Sequence, residues 1–215
     1  FKNSFITSNT SSTGAAGSIG IEAGQGIRLI GSDSELFAGT TNQGFAGNIT
    51  LTTPELTLQN GANIATTTAS SGNAGNITLQ SHPNTDNLNI NLEENTSISA
   101  STSNQGNGGN LRIIAPNSVT IQGQGTLSTS TTGTGNAGNI TLDTSTLTIA
   151  RGSQLFALTE GSGNSGTITV NASTAVNLGI GVNDFSPVLS VETRDAGKAG
   201  SIIVNTPTLT LSDTA

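Results

Sequence analysis

Polar and apolar residues alternate in short runs along this chain, and the runs recur. Asn48-Ile49-Thr50-Leu51, Asn76-Ile77-Thr78-Leu79 and Asn139-Ile140-Thr141-Leu142 each read polar, apolar, polar, apolar, with Ser18-Ile19 and Ser201-Ile202 as looser copies. A period of two predicts a strand with one buried face. A second alternating run follows after a turn of a few residues: Ile27-Arg28-Leu29, Leu56-Thr57-Leu58, Val119-Thr120-Ile121, Leu147-Thr148-Ile149, Val176-Asn177-Leu178 and Leu209-Thr210-Leu211. Helical periodicity is not found anywhere in the chain.

Ahead of these runs lies a third element that exposes the repeat. Residues 64–75 (IATTTASSGNAG) align without gaps to residues 6–17, 36–47, 98–109, 127–138, 155–166 and 189–200. Position one is always Ile or Leu, position five always Thr, from Thr10 through Thr68 and Thr131 to Thr193, and positions nine and twelve always Gly. The closing glycines, 17, 47, 75, 109, 138, 166 and 200, stand 28–34 residues apart. Two repeats are lengthened by turn insertions, one within loop 80–87, which carries His82-Pro83, and one within loop 179–187. Such insertions leave a stacked repeat intact, because its strands pair however far a loop bulges.

Three short strands per repeat and no helix predict an all-β chain, a right-handed parallel β-helix of three-strand coils, about seven coils of 28–34 residues. At ~4.8 Å per strand spacing, seven coils make a rod roughly 34 Å long. Matching Ile, Leu and Val then form ladders inside. The recurring Thr lies an even number of steps from position one, so it shares the inward parity and is expected to form a hydrogen-bonded Thr ladder. The two recurring glycines are expected at sharp turns with φ > 0. Residues 1–215 read as one β-helix segment. The chain starts at Phe1 and shows no polar cap, so it reads as an excerpt of a longer repeat protein whose coils continue in both directions.

Composition narrows the function. Charged residues make up 9% and aromatics 3%, Cys, Met, Trp and Tyr are absent, and Gly numbers 28, so a core of large side chains is excluded. The net charge of −7 and the lack of any Lys/Arg cluster argue against nucleic acid and anionic lipid as partners. No run approaches the ~18 apolar residues of a spanning helix, so no membrane insertion is expected.

Candidate chemistry is sparse. Gly133–Gly138 (GTGNAG) and Gly161–Gly166 (GSGNSG) match the dinucleotide fingerprint G-x-G-x-x-G, but each precedes a predicted strand where a helix is required, so each reads as a repeat turn. No turn carries the Asp of a calcium-binding β-roll. The carboxylate pairs Asp33/Glu35, Glu93/Glu94 and Glu192/Asp195 lie on different coils or at adjacent exposed positions, so no metal site is assigned. Arg194, Asp195 and Lys198 share one turn, and His82 stands in a loop with no visible partner. Neither arrangement supplies the grouped acids and bases of a hydrolase or lyase, so no catalytic residue and no cofactor are assigned. An ice-binding face needs an unbroken outward Thr column. The available column reads Gly20, Thr50, Thr78, Arg112, Thr141, Thr169, Ile203, and is interrupted. Phe37, Phe156 and Leu158 fall at outward positions, and Phe185 in the second inserted loop. They are candidate contact points, since loops and isolated outward residues are where such a surface departs from monotony.

The run GNAGNITL (residues 72–79 and 135–142), together with LTLQNGANI (residues 56–64) and a Ser/Thr-rich strand, resembles the repeats of filamentous haemagglutinin-type proteins, particularly the long cyanobacterial members exported by two-partner secretion. The resemblance covers essentially the whole chain. It implies a β-helical shaft of a secreted or cell-surface adhesin or extracellular filament, without catalysis, exported through an outer-membrane secretion partner. Neighbouring coils or subunits and a cell-surface or glycan receptor are the partners it suggests. A carbohydrate-active β-helix enzyme and an ice-binding β-solenoid are the alternatives.

Overall fold

Alternating apolar residues need a partner sheet or a partner strand on every side, and here each strand finds it in the same strand of the next repeat. The computed structural model describes residues 4–179 and 186–212. Every regular element among them is a β-strand, and every pairing is parallel. The first sheet holds β1 (Phe5–Thr7), β4 (Glu35–Phe37), β7 (Asn63–Thr68), β10 (Ser97–Thr102), β12 (Thr126–Thr131), β14 (Gln154–Thr159) and β16 (Val188–Thr193), in that spatial order. Its register joins Ile6, Leu36, Ile64, Ile98, Leu127, Leu155 and Leu189, the position-one residues of the self-alignment, in one continuous row.

The second sheet has eleven strands. One row runs through β2 (Ile19–Glu22), β5 (Ile49–Thr52), β8 (Ile77–Gln80), β11 (Leu111–Ile121), β13 (Ile140–Ile149), β15 (Ile168–Leu178) and β17 (Ile202–Asn205). The other adds β3 (Ile27–Ile30), β6 (Glu55–Gln59) and β9 (Asn89–Leu92), which pair in that order, and β18 (Leu209–Leu211); β9 and β18 pair with the distal halves of β11 and β15.

Two differences from the sequence reading stand out here. In β11, β13 and β15 the two alternating runs fuse into one strand, with a shift of register near Ala115/Ser118 and Thr144/Thr146. Their connections are only a few residues long and contain no Gly, so pairing carries straight through the bend. Elsewhere the two runs stay separate strands, with Gly24 and Gly26, Pro54, the 80–87 insertion or Pro207 between them, although β11 itself runs through Pro116. Secondly, β9 supplies the alternating run Ile90-Asn91-Leu92, which the self-alignment passed over because the insertion displaces it.

The core lies between the sheets as stacked aliphatic rows. Ile64, Ile98, Leu127 and Leu155 are buried, as are Ile77, Leu111, Ile140 and Ile168 opposite. Each such side chain contributes about 1.5–3 kcal/mol on burial. Ile6 and Leu209, in the first and last repeats, hold equivalent places yet are 52% and 50% exposed, because each has a neighbouring strand on one side only.

Candidate functional site

The repeated letters serve stacking. None of the recurring glycines has positive φ, contrary to the sequence expectation; the described glycines that do are Gly31, Gly61, Gly123, Gly152 and Gly179, all at the corner leading into the first sheet. There, consecutive residues adopt left-handed conformations in pairs: Asn60-Gly61, Glu94-Asn95, Gly123-Gln124 and Arg151-Gly152. The recurring glycines answer to close approach instead. A Cβ at Gly75 would overlap the carbonyl oxygen of Gly47, and one at Gly72 that of Gly44, with the same clash repeated along both columns. Gly14, with no repeat before it, would meet only Ser12 Oγ at 3.8 Å.

The Thr column is buried as its parity required, with Thr40, Thr68, Thr102, Thr131 and Thr159 at most 3% exposed. Its hydroxyls serve the carbonyls of the glycine turn more than each other. Thr68 Oγ1 donates to Gly72 O at 2.7 Å and Thr159 Oγ1 to Asn164 O at 2.9 Å. Thr131 Oγ1 reaches back to Asn104 O at 3.3 Å, and only Thr68 and Thr102 approach hydroxyl to hydroxyl, at 2.8 Å.

The ladder that does run up the stack is built from Asn. Asn48, Asn76 and Asn110 each accept, on Oδ1, the backbone N–H of the residue one repeat on, Asn76, Asn110 and Asn139, at 2.8–2.9 Å. A parallel column uses Asn73, Asn107, Asn136 and Asn164, ending on the N–H of Lys198. The sequence carried the signal, since both Asn of GNAGN recur. By itself it does not distinguish a ladder, because an exposed polar position beside a glycine is usually solvated.

The sequence-derived candidates do not converge. His82 does have a partner: its Nδ1 accepts from the Asn84 N–H at 3.3 Å, and its Nε2 lies 3.2 Å from Glu22 Oε1. The pair ties loop 80–87 to β2, two repeats away, and has no nucleophile beside it. Glu35 accepts from Asn63 Nδ2, and Glu93 from Gln59 Nε2 and from Asn91 Nδ2. Among the described residues no three potential metal ligands gather. Arg194 donates to Glu192 at 3.0 Å and to Glu160 at 3.2 Å; the Glu192 hydrogen bond and charge, with a smaller contribution from Glu160, raise its pKa. Arg112 lies 3.8 Å from Asp143 in the outward column that runs from Gly20 to Ile203, confirming the interruption of that Thr row. Both G-x-G-x-x-G stretches run into strands, β13 and β15. Phe185 and most of loop 179–187 lie outside the described residues.

What remains is surface relief on the outer face of the first sheet. Phe37, Phe156 and Leu158 point outward there and are half-buried. Phe156 and Leu158, with Gln154, Val188, Ser190, Glu192 and Arg194, border a depression of 230 Å³. Phe37 closes one end of a longer trough of 350 Å³ floored by Thr67, Ser101 and Ser130. Compared with known proteins, the chain matches no family model, no curated protein and no solved structure.

Proposed function

We propose that this chain is a structural and interaction shaft: a right-handed parallel β-helix of seven three-strand coils, forming a segment of a secreted or cell-surface adhesin or extracellular filament of the filamentous haemagglutinin type. One observation carries the reading. The recurring Gly and Asn residues are consumed in repeat-to-repeat contacts and the recurring Thr in bonds to the glycine turn, and among the described residues no three potential metal ligands gather. Rightward handedness follows the general rule for parallel crossovers. Its partners in this reading are neighbouring coils or subunits at the end faces, an outer-membrane secretion protein, and a cell-surface or glycan receptor.

Antibody against residues 1–215, applied to intact cells of the source organism, tests the location: labelling without permeabilisation, and its loss on protease treatment of whole cells, are expected, as is weaker surface attachment in a deletion strain. Labelling only after lysis, or cleavage of polysaccharide by the purified chain, would overturn the reading.

A further inference from the structure

We infer that loop 80–87 is a clasp: it couples the third repeat directly to the first and holds the corner after β2 against local opening. The clasp belongs to the mechanics of the stack and stands whether or not the chain is an adhesin. In a stacked repeat each unit touches only the one before and the one after, so a single unit can open without its second neighbour. The hydrogen bonds obey that rule: among the described residues, none joins residues more than 35 apart in the chain. The His82–Glu22 pair breaks it, bringing Nε2 to 3.2 Å from Oε1 across sixty residues.

Register shows what the loop crosses. Glu22, Thr52 and Gln80 stand side by side on β2, β5 and β8, so Glu22 and Gln80 are two strand spacings apart, about 9.6 Å. Gln80 Nε2 donates to Thr52 Oγ1 at 3.1 Å, an ordinary step of one repeat. Two residues further on, His82 passes over that step and meets Glu22. An insertion of this length could equally bulge into solvent, because loop length costs little. Instead its turn is built to aim the ring. The His82 carbonyl accepts from the Thr85 N–H at 3.0 Å, the Asp86 N–H at 3.3 Å and the Thr85 hydroxyl at 3.2 Å, while the Asn84 N–H holds Nδ1. Pro83 fixes the backbone φ directly after the histidine. With its side chain only 13% exposed, His82 has little freedom left to lose when it meets Glu22. Glu22 is 67% exposed, which keeps the pair at the strength of a surface contact.

Amide hydrogen exchange of the 215-residue chain under native conditions tests the clasp. The Ala23 N–H, which donates to Thr52 O next to Glu22, reports on the first corner; the Ile168 N–H, on Ser201 O, is the distant reference. His82→Ala and Glu22→Ala should each quicken exchange at Ala23 about two- to fivefold, the range open to a surface pair, and leave Ile168 unchanged. Both substitutions remove the same contact, so the double variant should exchange at Ala23 no faster than either single one. Circular dichroism establishes that each variant is folded. Unchanged exchange at Ala23 in both single variants, effects that multiply in the double variant, or an equal change at Ile168 would each overturn the clasp. None of these outcomes bears on where the chain is located or what it attaches to, so the adhesin reading stands or falls separately.

Discussion

A methyl group added at Gly75 runs into the Gly47 carbonyl, whereas one added at Gly20 meets nothing within 4 Å. The same substitution should therefore act in opposite directions at the two sites. Gly75→Ala forces neighbouring repeats apart and should lower stability by about 1–3 kcal/mol or more. Gly20→Ala, on the outer side of β2 with negative φ, should leave stability unchanged or raise it by up to about 1 kcal/mol, through reduced freedom of the unfolded chain. Urea unfolding midpoints of the two variants check this; equal losses would sink the close-approach account. Thr68 poses a different question, because its one proton can serve only one partner at a time. With that proton on Gly72 O, the Thr102 hydroxyl is left to donate to Thr68. Thr68→Val keeps the shape and strands both partners in a buried site, and should cost about 1–3 kcal/mol in the same assay.

At the scale of the element, two corners of the repeat follow different rules. The glycine corner is stitched by Asn ladders: Asn110 Oδ1 accepts the Asn139 N–H while Asn110 N–H is itself held by Asn76. Asn110→Ala should cost about 0.5–1.5 kcal/mol, and amide hydrogen exchange should quicken first at Asn139, the donor that loses its partner. Uniformly faster exchange along the chain, with nothing distinct at Asn139, would count against the ladder. The opposite corner uses paired left-handed residues, and there Arg151 holds φ at 53° without being Gly or Asn. Arg151→Asn should relieve part of that strain and raise the melting temperature, by on the order of 0.5–1 kcal/mol of stability. Why the chain keeps an Arg at this exposed position has no explanation in the structure.

Over the whole molecule, each strand of the repeat contacts mainly its counterparts one repeat before and one after, which makes stability close to a sum over neighbours. Excising one full period, from Asn110 through Gly138, joins Gly109 to Asn139 and restores every column. This variant should remain folded, with far-UV circular dichroism per residue unchanged and a modest drop in unfolding midpoint. Removing half that length, from Asn110 through Gly123, throws the columns out of register and should abolish cooperative unfolding. If both deletions behave alike, the stacked-repeat description is wrong. The 80–87 loop, tied back by the His82–Glu22 pair, lies outside the stack, and its length should matter little to either outcome.

The extent to which the chain was legible follows from the range of the interactions concerned. Period-two alternation and a recurrence every 28–34 residues are patterns within the sequence, so strands, inward columns and the parallel row from Ile6 to Leu189 could be read without coordinates. The burial of the Thr column followed from parity alone. Other features depend on distances between repeats, which no single repeat encodes. The glycines were assigned to turns by local conformational logic, while the constraint is the carbonyl of the repeat before. His82 looked alone because Glu22 is sixty residues away in the chain and 3.2 Å away in space. The trough was hidden for the same reason: Phe37, Thr67, Ser101 and Ser130 are ordinary residues in sequence, and they become one surface only when parallel pairing brings their columns side by side.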